Sequence, residues 1–143
     1  MEQQRNTRFS LTASITNGVV AGLVGGAVFG VQMMVAGMLP MVASLIGSDS
    51  VVVGFILHMI ISAVIGVSYA LVAPRLPQRW PIAIGGGIVL GIVWWILGAL
   101  IIMPAMLGGN VLAVGDMQLG SLVGHIIFGI VTAAFFTLIT ERQ

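Results

Sequence analysis

Four apolar stretches, roughly residues 15–39, 51–73, 81–103 and 119–139, alternate with short segments that hold nearly all of the charge. Each stretch approaches the ~20 residues that an α-helix needs to cross ~30 Å of hydrocarbon. The pattern predicts an all-α membrane protein with four transmembrane helices, forming a single domain over 1–143 with no second domain. Inside the stretches the small residues are periodic. Gly18, Gly22, Gly26 and Gly30 recur at four-residue steps, and a shorter series stands at Gly87 and Gly91. In lipid, helices associate by close approach across small side chains, so these stripes are expected helix-packing faces. The partner is either another helix of the chain or a second copy.

A second regularity has a longer period. Asp49, His58, Ile60, Ser62, Gly66, Tyr69 and Leu71 recur 67 residues later as Asp116, His125, Ile127, Gly129, Ala133, Phe136 and Leu138. The chain therefore reads as two tandem helical hairpins, repeat 1 over about 15–73 and repeat 2 over about 81–139. Pro40 and Pro104 are expected to end the first helix of each. Two hairpins entering with the same orientation form a parallel repeat, related by a pseudo-two-fold axis along the membrane normal. Asp49 and Asp116 stand where a helix N-cap is wanted, and a short carboxylate can take up free amide protons there.

Charge changes the picture by fixing an orientation. All five basic residues, Arg5, Arg8, Arg75, Arg79 and Arg142, fall on one side of the four stretches. The positive-inside rule then predicts an N-in/C-in protein of the inner (plasma) membrane, multi-pass, with both termini cytoplasmic. Trp80 fits an interfacial anchor. The first stretch is longer than the apolar core of a secretory signal and is expected to be retained. With a net charge of +1 there is no basic surface for a row of phosphates, so no nucleic-acid partner is expected. With no cysteine, disulfides and thiolate metal sites are excluded. The expected partners are the lipid bilayer and either further copies or a larger membrane complex.

Chemistry narrows to the only two histidines. On a helix, positions i, i+4, i+8 and i+11 lie within about 80° of one another. His58, Ser62, Gly66 and Tyr69 thus share a stripe, and His125, Gly129, Ala133 and Phe136 share its copy. Counted from the outer rim, Gln32, His58, Trp95 and His125 all come to about 9–12 Å of depth. They predict one polar layer facing the bundle interior, where intramembrane polar groups find partners. Three readings of it stay open: imidazoles that hydrogen-bond between helices, a pair of ligands for haem b or a metal, and a gating or proton-relay role. No third or fourth donor accompanies the pair, so no bare metal site is expected and haem is the better of the cofactor options. Trp94 and Trp95 are expected to pack or face lipid. The methionines, Met38, Met41, Met103 and Met106 among them, are expected to fill gaps rather than bind copper. The chain has no nucleophile elbow, P-loop lysine, H-E-x-x-H or membrane-buried acid, which argues against an enzyme or an ion-coupled pump.

Three segments carry a resemblance: Ala73-Pro74-Arg75-Leu76-Pro77 after the second stretch, Trp94 and Trp95 with Pro104, and His125-Ile126-Ile127-Phe128-Gly129. The chain resembles, over most of 15–139, an uncharacterised family of small four-helix prokaryotic integral membrane proteins. That resemblance implies the fold and names no activity. The expected function is a non-enzymatic accessory or scaffold subunit, or a homo-oligomer, with no cofactor. A bis-histidine haem or metal-binding protein is the alternative, and a small carrier or pore for an uncharged solute is the third.

Overall fold

In a computed structural model that describes residues 10–77 and 79–142, every element is helical and no strand occurs among the described residues. Arg5 and Arg8 lie outside them. The chain runs through α1 (Leu11–Val35), α2 (Leu39–Ala43), α3 (Val51–Val72), α4 (Trp80–Trp94), a π-helical segment (Trp95–Ile102), α5 (Met103–Leu107) and α6 (Asp116–Thr140). Four continuous helical runs, Leu11–Val35, Val51–Arg75, Trp80–Leu107 and Asp116–Thr140, are long and apolar enough to cross a membrane.

The span ends differ from those expected. Ser10 starts α1, its hydroxyl accepting from the amide of Ala13. α1 stops at Gly37 rather than at Pro40. Gly37 has φ +66°, a left-handed residue that costs glycine nothing, and the Met38 amide then donates back to Met33 O at 2.9 Å. Pro40 instead sits in the first turn of α2, where a missing amide is harmless. Pro104 does not end the third run either. It cannot donate to the turn before it, which leaves the Leu100 carbonyl without its usual helical partner. The Leu112 amide from the following loop fills that place at 2.7 Å, with Leu112 itself held at φ +61°.

Helix packing follows the glycines. α1 lies against α3 on one side and α6 on another, and α4 lies along α6; α3 hardly touches α4 or α6. Every glycine of the first stripe is used within the chain. A Cβ on Gly18 would meet the backbone of Gly66 and Val67, and one on Gly22 would lie 2.9 Å from Gly66 Cα; Gly26 abuts Ser62, and Gly30 abuts Phe55 and His58. The α4–α6 crossing is built alike, Gly87 against Gly129 and Ala133 and Gly91 against the backbone of His125 and Ile126. Gly25 and Gly124 let α1 and α6 approach, the first beneath Phe128 and Thr132, the second beneath the Phe29 ring. The central position of α1 agrees with its composition. Its mean hydropathy of 1.9 is the lowest of the four runs and its buried share, 44%, the highest, whereas the third run, at 2.4, is 17% buried.

Both predicted caps are displaced by one residue. Ser50, not Asp49, caps α3, accepting from the Val53 amide. α6 begins at Asp116 itself, with Gly115 before it and the Gln118 side chain accepting from the Gly115 amide at 3.1 Å. A serine hydroxyl one residue on reaches the free amides as well as the carboxylate would. Asp116 remains in the first turn, where its charge opposes the helix dipole favourably.

Candidate functional site: a cleft between α3 and α4

Among the described residues, two side-chain hydrogen bonds join α3 to α4, one near the corner and one at the far end of α4. Tyr69 donates to Ala83 O at 3.4 Å, and the Trp94 indole donates to Ser68 Oγ at 3.2 Å. α4 ends at Trp94, and from there the π-helical segment carries the third run along the far wall of a gap beside α3. Between them lies a cavity of about 600 Å³, within the ~300–1,000 Å³ of small-molecule sites. Phe29 and Met33 of α1 form its back, Ile61 and Ile65 of α3 one wall, and Gly98, Ala99 and Met103 the other. Met38 and Met41 close it at the α2 end, and Gly109, Asn110 and Ala113 of the last loop cover it beside them.

Both histidines line this cavity. His58, 6% exposed, donates its Nε2 proton to Gly26 O on α1 at 2.9 Å. A carbonyl can only accept, so the proton is on Nε2. His125 turns back on its own helix: its Nδ1 stands 2.8 Å from Ser121 O and 3.2 Å from Ser121 Oγ. By the same logic the proton of this ring is on Nδ1. The imidazoles do not bond to each other. Phe29, on the intervening helix, contacts both edge-on, with ring centroids 5.3 Å from His58 and 4.8 Å from His125.

Of the expected polar layer, Gln32, Trp95 and His125 all bond backbone carbonyls in the first two turns of α6. Gln32 donates to Gly120 O at 3.2 Å and Trp95 to Gln118 O at 2.8 Å, both on the first turns of α6. His125 Nδ1 bonds Ser121 O, one residue on from the Gly120 O that Gln32 uses, so the two acceptors differ by about 1.5 Å in height. Gln32 and Trp95 thus secure helices, whereas His58 and His125 belong to the cleft.

Two participants were not singled out from the sequence. Phe29 separates the imidazoles and Ser121 orients His125; Trp94, expected to pack or to face lipid, lines the cleft. Phe29 was the more accessible of the two to reasoning, since it lies one residue from Gly30 and toward Gly25, where the face of α1 turns from α3 to α6. Met33, Met38, Met41, Met103 and Met117 all line the cavity. Unbranched and polarizable, they form a wall that can adapt to different shapes. No charged side chain lines it, and no group of three or more His, Cys, Asp or Glu suited to a metal ion occurs among the described residues. No protein-family profile, no curated protein and no solved structure matches the chain.

Proposed function

We propose that this chain is a non-enzymatic, multi-pass protein of the plasma membrane that holds an uncharged, largely apolar molecule in the cleft between α3 and α4. The observation that carries this reading is the cavity of about 600 Å³, lined by apolar side chains and two neutral-bonded histidines. We read the fold as two tandem hairpins inserted in parallel, both ends cytoplasmic. The like construction of the two glycine crossings, Gly22 over Ser62 and Gly87 over Gly129, supports the repeat. The Arg75 and Arg79 corner, opposite loops whose only charges are Asp49 and Asp116, supports the orientation.

A parallel repeat explains why a cleft exists. Its axis would pair the α1–α6 contact with an equivalent α3–α4 contact, but the first is close-packed and the second is open. The difference lies in the residues: Ala21, Gly25 and Gly124 let α1 meet α6, whereas Ile61, Ile65 and Trp94 stand on the opposite pair. The scaffold reading is less well supported, because its glycine stripes are consumed inside the chain. A haem bridged by both imidazoles is disfavoured by Phe29, which contacts each ring, and by the commitment of His58 Nε2 to Gly26 O.

Native mass spectrometry tests the proposal. Protein released from mild detergent with 1-bromododecane is expected to carry one bound molecule, and Gly98→Phe is expected to carry none. Gly98 lines the cavity, and a Cβ there has nothing within 4 Å, so the ring fills the cleft without displacing backbone. Equal adducts on both proteins, or a ladder of many on each, would contradict a defined site.

A further inference from the structure

The cleft carries a chemical preference as well as a shape. In a neutral imidazole one nitrogen donates and the other accepts. Both donors are already spent on backbone carbonyls, His58 Nε2–H on Gly26 O and His125 Nδ1–H on Ser121 O. His125 Nε2 makes no hydrogen bond among the described residues, and the ring is only partly buried at the cavity wall. What it offers an occupant is a lone pair. An occupant that brings a hydroxyl satisfies it; a carbonyl or an ether oxygen would face it lone pair to lone pair. With no charged lining residue, a phosphate or ammonium group would be buried without a counter-charge, which is strongly unfavourable.

The route of entry agrees with this. Ile60 and Val64 both line the cavity and are 57% and 58% exposed on α3, and Ile102 lines it from the other wall at 45%. Ile60 and Val64 lie near the middle of the Val51–Arg75 run. The slot therefore opens sideways at mid-span, toward hydrocarbon rather than water. An occupant arrives from the bilayer and brings a tail.

We propose that the cleft binds a long-chain, uncharged alcohol drawn from the membrane, its hydroxyl donating to His125 Nε2 and its tail leaving between α3 and the π-helical segment. The proposal rests on the functional reading given above. Binding requires no bond to be made or broken. The chemistry is shared by prenyl alcohols, diacylglycerols and other membrane-soluble hydroxy compounds, and the cleft distinguishes them from charged lipids rather than from one another.

The test uses three matched probes, 11-bromoundecanol, its methyl ether and 1-bromoundecane, in nanodiscs of saturated lipid. Bromine quenches indole emission at contact, and in a Trp80→Phe/Trp95→Phe background Trp94 reports from the cleft. All three probes are expected to quench saturably, the alcohol at about tenfold lower concentration than the ether or the hydrocarbon, the difference of one buried hydrogen bond. His125→Phe is expected to abolish the alcohol's advantage, so that alcohol and hydrocarbon quench at the same concentration. Saturable quenching with no preference among the probes would overturn the hydroxyl assignment and leave the cleft as a ligand site. Quenching that never saturates with any probe would overturn the functional reading itself. The wild-type comparison needs no histidine variant, so misfolding of His125→Phe cannot mask the answer. 2-Undecanone displacing the alcohol at equal concentration would also overturn the assignment, making the Ser121 hydroxyl the donor that matters.

Discussion

At the scale of single residues, the glycines divide sharply by what a side chain would meet. Gly22→Leu drives carbon into the backbone of Ser62 and Gly66, and overpacking of that kind costs about 1–3 kcal/mol. A clear fall in thermal stability is expected in detergent. Gly85→Ala should do the reverse, since a Cβ there meets nothing within 4 Å and alanine restricts the unfolded chain; a gain of about 0.5–1 kcal/mol is expected by the same assay. Caps give a second contrast. Ser50→Ala is expected to cost about 1 kcal/mol and Asp49→Ala much less, measurable as separate shifts in the unfolding midpoint. The stripes and the histidines were legible in the sequence because small and titratable residues stand out against hydrocarbon. Phe29 was not, since one aromatic among six phenylalanines shows no pattern until α3 and α6 are set on either side of it.

At the scale of elements, hydropathy located all four spans but misjudged where they stop. Proline is the expected breaker, whereas Gly37 ends α1 and the third run continues through Pro104 to Leu107. The continuation depends on a long-range bond that periodicity cannot register, the Leu112 amide on the Leu100 carbonyl. π-helical turns often mark functional positions, and this one supplies Gly98, Ala99 and Ile102 to the cleft. Pro104→Ala returns an amide donor to that segment. The variant is expected to release Leu112 from its left-handed conformation, seen as faster hydrogen exchange at the Leu112 amide with α6 unaffected. Unchanged exchange at Leu112 would show that the loop is held by other contacts.

At the scale of the whole molecule, the duplicated sequence predicts two hairpins related by a pseudo-two-fold axis, with one polar layer between them. The halves are alike in their hairpin crossings and unlike in what lies between them. His58 reaches across to α1 and His125 turns back on α6; between the halves α1 packs on α6, whereas α3 hardly touches α4. This asymmetry is written in bulk rather than polarity, in Ile61, Ile65 and Trp94 against Ala21, Gly25 and Gly124, which a hydropathy pattern does not distinguish. Orientation can be checked cleanly, because the chain has no cysteine of its own. Ser48→Cys and Asn110→Cys are expected to react with a membrane-impermeant maleimide added to intact cells, and Arg79→Cys only after permeabilisation. The open cleft is the claim on which the rest depends, and anomalous diffraction from crystals grown with 1-bromododecane tests it most directly. The account predicts a single bromine peak between α3 and the π-helical segment, against the cavity wall formed by Phe29, Met33 and Trp94. Helices α3 and α4 packed together along their whole length, with bromine only on the outer surface, would contradict it.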